Sequence, residues 1–132
     1  MIVAGVDDTG AHIYVVTNPG ESECMDAICF HSIGSGSPHA LVSLIGNNIS
    51  PNNDLLHCLY NVYEAKKRSE SSPGVGKLSD IGIITKEGTF DLKQTEISKL
   101  EKAFRDIEEP RKSMIEKRLK GLNEILIKKG KA

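Results

Sequence analysis

No apolar run in this chain of 132 residues approaches the roughly 18 residues that a membrane-crossing helix needs. Nor does the N-terminus carry a basic flank followed by an apolar core, so neither a membrane span nor a secretory leader is expected. Cysteine is scarce: Cys24, Cys29 and Cys58 are an odd number with no CxxC spacing. They read as reduced intracellular thiols packed as small hydrophobes, which places the chain in the cytoplasm. No pair among His12, His31, His39 and His57 has an HxxxH or HxH spacing, and their carboxylate neighbours are isolated in sequence. That pattern excludes a local metal-ligand cluster and makes the histidines surface or satisfied core residues. Internal repeats and low-complexity tracts are absent as well.

What remains is the length of one domain with 39% hydrophobic residues, enough to bury a core. The net charge of -1 hides a division: residues 1–92 hold 5 Lys/Arg against 11 Asp/Glu, and residues 93–132 hold 12 against 7. The change falls where strand-like patterning gives way to helical patterning. Interleaved signs in the second part describe a solvated helix face and not a nucleic-acid-binding stripe. Residues 1–92 and 93–132 are accordingly read as a folded portion and an amphipathic helical tail.

Ile2-Val3-Ala4-Gly5-Val6 predicts a buried strand, and Asp7-Asp8-Thr9-Gly10 a turn into a second strand, Ala11 to Val16, closed by Asn18-Pro19-Gly20. Ala27 to Ile33 predicts a third strand. At its end His31-Ser32-Ile33-Gly34-Ser35-Gly36-Ser37-Pro38 forms a strand-to-helix elbow, with Ser37 as N-cap. The spacing of Leu41, Leu44 and Ile45 predicts a helix ending at Gly46-Asn47-Asn48, and Asp54 caps a second helix that ends in Lys66-Lys67-Arg68. After a loop over 69–77 come a buried strand from Asp80 to Thr85 and an edge strand from Thr89 to Leu92. Thr95 caps a long helix that Pro110 should break or kink, and Ile115, Leu119, Leu122 and Leu126 draw a seam that packs on something.

Two stretches carry candidate chemistry. The elbow presents the Ser35 and Ser37 hydroxyls with several free N–H groups, yet it lacks the Gly-Lys-Ser/Thr end of a phosphate loop and is shorter than a nucleophile elbow. A site and a plain tight turn both remain open. Ser72-Pro73-Gly74-Val75-Gly76-Lys77 is the second, because consecutive carbonyls in a glycine-rich turn can coordinate a cation; the alternative is a tight entry into the strand at Asp80.

In their order, Val3-Ala4-Gly5-Val6-Asp7, His12-Ile13-Tyr14, Pro19-Gly20, Ile33-Gly34-Ser35-Gly36-Ser37, Ala65-Lys66-Lys67-Arg68 and Asp80-Ile81-Gly82-Ile83-Ile84 resemble a proteasome-type subunit of the Ntn hydrolase fold, over about residues 2–92. The resemblance implies an α+β fold of antiparallel strands with two packing helices; the long kinked helical segment after residue 93 lies beyond it as an addition. The resemblance also implies a threonine peptidase of intracellular protein degradation, whose nucleophile is a processed N-terminal Thr with its own α-amino group as base and a Lys nearby. Met1 falls in the middle of the family fold, so the nucleophile half is expected outside this chain, which would be inactive alone. Ser35 matches the family's supporting serine, with Gly36 beside it. Ser72 and Val75 stand where active members carry an Asp and a Ser, and their carbonyls could still hold a structural monovalent or divalent cation. No other cofactor is implied. The expected partners are the missing half or further copies of the chain, with protein or peptide as substrate and neither nucleic acid nor membrane.

Two further readings stand beside this one. One is a non-catalytic scaffold or interaction protein that docks a partner through its basic helical tail. The other is an unrelated small α/β enzyme with the elbow as its site.

Overall fold

The computed structural model describes residues 1–130. Two compact units divide between Ile97 and Ser98. The first is a mixed α+β unit. β1 (Ile2–Val6) and β2 (Ala11–Val16) form an antiparallel hairpin in which Gly5 faces His12 and Val3 faces Tyr14. The turn closes on itself, Asp7 and Gly10 exchanging backbone hydrogen bonds. β3 (Ser22–Cys24) joins the other edge of β2, after a connection containing a cis Asn18–Pro19 peptide.

The strand expected over residues 27–33 is not formed. The short strand lies earlier, in the acidic stretch, and the chain then turns: the Ile28 and Cys29 N–H groups both donate to the Met25 carbonyl, and Cys29 takes a φ of 57°. β3 fills the second edge of β2, and residues 27–33 pair with no strand of either sheet. A β-rich composition without a partner strand does not make a sheet.

Two helices follow. α1 (Ser37–Gly46) starts one residue earlier than the sequence suggests, with Gly36 and not Ser37 at the N-cap; the Ser37 hydroxyl donates instead to the Ser32 carbonyl at 2.8 Å. Its end follows the sequence signal, as Asn48 adopts the left-handed conformation at φ 51°. α2 (Leu55–Ser69) is capped by Asp54, whose carboxylate accepts the His57 N–H at 2.8 Å. α1 and α2 pack through Ala40, Leu44 and Ala65, with Phe30 and Ile49 against them. Small residues at the contact let the two backbones approach closely.

β4 (Gly82–Thr85) and β5 (Gly88–Asp91) form a separate two-stranded antiparallel ribbon. Neither this ribbon nor β1 is buried as expected: Val3 is 46% exposed and Ile84 42%. A sheet needs a layer on its face to bury it, and this unit supplies little. Its small core leaves no described side chain below 2% exposure.

α3 (Gln94–Gly130) begins in the first unit, where Ile97 is buried. Thr95 lies inside the helix and does not cap it; Glu96 reaches back to accept the Lys93 N–H at 2.7 Å, half of a capping box. Of the break or kink expected at Pro110, the break is absent. The helix continues through it, with the Glu108–Arg111 ion pair (3.2 Å) bracketing the residue that lacks an N–H. From Ser98 onward α3 forms the second unit, and Ile107, Ile115, Leu119, Leu122 and Leu126 stand about half exposed along it. No helix among the described residues is long and apolar enough to cross a membrane. The thiols are unpaired, and Cys24 is exposed and not packed as expected.

Replacing Asp54 by Ala removes the carboxylate that caps the start of α2. A loss of about 1 kcal/mol is expected, read as a lower urea midpoint with an unchanged slope.

Candidate functional site

Gly36 is the most crowded of the glycines among the described residues. A Cβ built there would stand 2.8 Å from Ser69 Cβ, 2.9 Å from Val75 Cγ2 and 3.2 Å from the Ser69 carbonyl. The start of α1, the end of α2 and the loop after it therefore meet at one backbone atom. Gly34, at φ 99°, supplies the turn that brings the chain there. Around this point lies a groove of about 550 Å³, walled by Phe30, Ile33, Leu44 and Val62, with Ser35 and Val75 on its rim.

The sequence-derived site residues fall as follows. Ser35 is exposed on the groove and makes no hydrogen bond among the described residues, so no base stands behind its hydroxyl. Gly36 is buried beside it. Val75 touches the groove, whereas Ser72 is buried and outside its lining.

Two carbonyls of the 72–77 turn accept internal donors. The Ser72 carbonyl accepts the Val75 N–H at 3.3 Å, and the Gly76 carbonyl accepts Lys66 Nζ at 2.7 Å. Lys66 also pairs with Glu70 at 2.7 Å, and Lys67 joins the same carboxylate at 2.8 Å. Burial works against the Glu70 charge, but the two ammonium groups overcome it and hold its carboxyl below the ordinary range. The lysine ammonium thus takes the Gly76 carbonyl, a donor that a metal ion at this turn would otherwise meet. No group of three His, Cys, Asp or Glu side chains among the described residues could hold one.

A second cluster escapes a linear reading. His12 on β2 has its Nδ1 2.6 Å from Asp26 Oδ2 and its Nε2 2.8 Å from Thr9 Oγ1 and 3.2 Å from Asp7 Oδ1. Asp26 is fixed by its other oxygen, which accepts the Ile13 N–H at 2.8 Å. Thr9 donates both its hydroxyl, at 2.6 Å, and its N–H, at 2.7 Å, to Asp7 Oδ1. The carboxylates that looked isolated in sequence are brought to one imidazole by the β1–β2 turn and by the pairing of β3. The signal available was the turn itself: in Asp7-x-Thr9-x-x-His12, a hairpin folds all three onto one end.

Charges follow from these contacts. The Thr9 hydroxyl and N–H hold Asp7 at about 2. The Ile13 N–H, then His12, depress Asp26. Asp26 above all, with Asp7, raises His12 against the opposing effect of partial desolvation.

Compared with protein-family models and with curated protein sequences, the chain matches none.

Two outcomes are expected. Gly36→Ala forces a methyl against backbone and a short side chain, neither of which can swing away, and should lower stability by about 1–3 kcal/mol in thermal melts. The hairpin cluster should give a pH-dependent stability. A raised His12 stabilises the fold fully below the ordinary value of 6.5 and less as pH rises through its folded value. The depressed Asp7 and Asp26 stabilise it above 3.8 and less as pH falls toward about 2. Tm should therefore be highest between about 4 and 6.5, and His12→Gln should abolish the alkaline limb and soften the acid one, because His12 also depresses Asp7 and Asp26.

Proposed function

We propose that this chain is the C-terminal portion of a proteasome-like Ntn hydrolase subunit, a cytoplasmic threonine peptidase acting on protein or peptide substrates. It hydrolyses peptides only when joined by a segment that carries the N-terminal Thr, and further copies of the subunit complete the assembly. The observation that carries this reading is the meeting of three distant segments at Gly36: the Gly34-Ser35-Gly36 turn, the end of α2 and the loop at Val75. The resemblance puts these same segments around the centre of a proteasome-like subunit, and nothing local in the sequence obliges them to touch.

Two features support it further. Residues 27–33 have strand composition and pair with no strand; Ile28 stands 49% exposed, and Ile33, on the wall of the apolar groove, 55%. Leaving each large apolar side chain in water forgoes about 1.5–3 kcal/mol. An added sheet would cover the groove and pair the segment. In that assembly Ser35 would hold the terminal amine from behind, and Gly36 would keep Ser35 in place.

The exposed seam of α3 favours a second reading, in which the helical tail docks a partner and the unit is a scaffold without catalysis.

The test is to isolate the native assembly through a C-terminal tag on this chain and treat it with a peptide epoxyketone, which forms a cyclic adduct only with a threonine hydroxyl and its own free α-amine. Adduct formation on an associated polypeptide is expected, and Ser35→Ala in this chain should lower kcat on the order of 10²-fold with KM little changed. An assembly that forms no such adduct overturns the peptidase reading. Leu119→Asp with Leu122→Asp should then reduce the native mass if the tail docks.

A further inference from the structure

The Thr9, His12 and Asp26 side chains stand in the order hydroxyl, imidazole, carboxylate, and none of them belongs to the groove at Gly36. We propose that they form an independent acyl-transfer centre, with Thr9 Oγ1 as nucleophile and His12 Nε2 as base, that hydrolyses esters of small apolar acyl groups. It needs no segment outside this chain and so does not depend on the peptidase reading.

The geometry meets the requirements for an activated nucleophile. Thr9 Oγ1 and His12 Nε2 are 2.8 Å apart, and His12 Nδ1 is 2.6 Å from Asp26. With one oxygen on Ile13 N–H at 2.8 Å, Asp26 cannot swing away, so it fixes the ring orientation; standing at 2.6 Å from Nδ1 against 3.2 Å for Asp7 at Nε2, it favours the tautomer with the proton on Nδ1 and Nε2 open to the hydroxyl. Asp26 is thus a positioning residue, and Thr9 and His12 are the catalytic ones.

A cleft of about 460 Å³ opens beside them on the β1–β2 face, lined by Val3, Gly5, Thr9, His12 and Tyr14 among others. Gly5 lies opposite His12 in the strand register, and a Cβ built on it would meet nothing within 4 Å. The floor next to the imidazole is therefore bare, with room for a planar acyl group, and Val3 and Tyr14 give it apolar walls.

Asp7 controls the hydroxyl. Thr9 has one hydroxyl proton and two acceptors for it, Asp7 Oδ1 at 2.6 Å and the Nε2 lone pair of neutral His12. While His12 is protonated, Nε2 has no lone pair to offer and the proton stays with Asp7. Once His12 is neutral, Thr9 can turn its proton to Nε2. The titratable groups facing His12 are Asp7 from the turn and Asp26 from the segment after β3, with Cys24 of β3 and Tyr14 of β2 interacting with Asp26. In the reaction Thr9 Oγ1 bonds to the ester carbon as its proton passes to Nε2. The carbon–alkoxide bond breaks, and the alcohol leaves with that proton. Water then adds to acyl-Thr9, giving its proton to Nε2; the acid departs, and Thr9 Oγ1 recovers the proton. The sum is ester plus water to acid plus alcohol.

The experiment uses the full chain with p-nitrophenyl acetate and, separately, a fluorophosphonate label located by peptide mapping. Hydrolysis should rise with pH as His12 loses its proton, and the label should sit on Thr9. Thr9→Val and His12→Gln should each lower kcat/KM on the order of 10²-fold or more. Asp26→Asn should move the pH limb lower, because Asp26 is the main group raising His12, and Gly5→Val should raise KM by filling the floor. Wild-type rates in Thr9→Val would mean that the imidazole alone attacks the ester, and would overturn the proposal. So would a wild-type chain that takes no label at Thr9, a result independent of whether any variant folds.

Discussion

At Gly36 the backbone of one segment rests against Ser69 and Val75 at a distance that leaves no room for a methyl group. The first turn of α1, the last turn of α2 and the loop beyond it can share that point only with hydrogen as the side chain there. Everything else in the helical half of the unit is consistent with this approach. Ala40 and Ala65 keep the α1–α2 contact thin, Leu44 fills what remains, and Asn47 at the end of α1 donates to Asn61 and Glu64 on α2, closing the far end of the pair. Tight sterics at one end and polar ties at the other fix the pair in place of a large core.

The sheet half has no comparable constraint. β1, β2 and β3 pair through backbone hydrogen bonds and bury little beyond Val15 and Met25. Its definition comes from the polar end of the hairpin, where one imidazole joins the turn at Asp7 to Asp26 beyond β3. Such a junction gives geometry to the loops without giving bulk to the core.

Local features were legible in the sequence. The hairpin at residues 2–16, the cap at Asp54, the left-handed Asn48 and the basic last turn of α2 all depend on a few neighbouring residues, and each is where short-range chemistry puts it. What could not be read depends on partners. Residues 27–33 have the right residues for a strand, but strand formation is a property of a pair, and it is β3 that pairs with the second edge of β2. Pro110 signals a break, yet the loss of one N–H is local and the helix on both sides carries on. Of the candidate site residues, the glycine pattern alone put Ser35 and Gly36 in a turn leading into a helix. The committed carbonyl at Gly76 was not legible, because the lysine that takes it is ten residues away on a helix. His12 was discounted for lack of sequence neighbours, and its partners arrive only through strand pairing.

The attachment of Lys66 to both Glu70 and the Gly76 carbonyl has a consequence for cooperativity. Glu70 lies four residues after Lys66, a spacing that exists as a contact only while the last turn of α2 is wound. The carbonyl of the loop is held by the same ammonium. Unwinding that one turn would therefore release the loop, and with it the Val75 side chain from Gly36, in a single event. The 72–77 loop, though it has no regular structure of its own, thus melts with the helix and not before it, so its amide protons should share the exchange behaviour of α2's end.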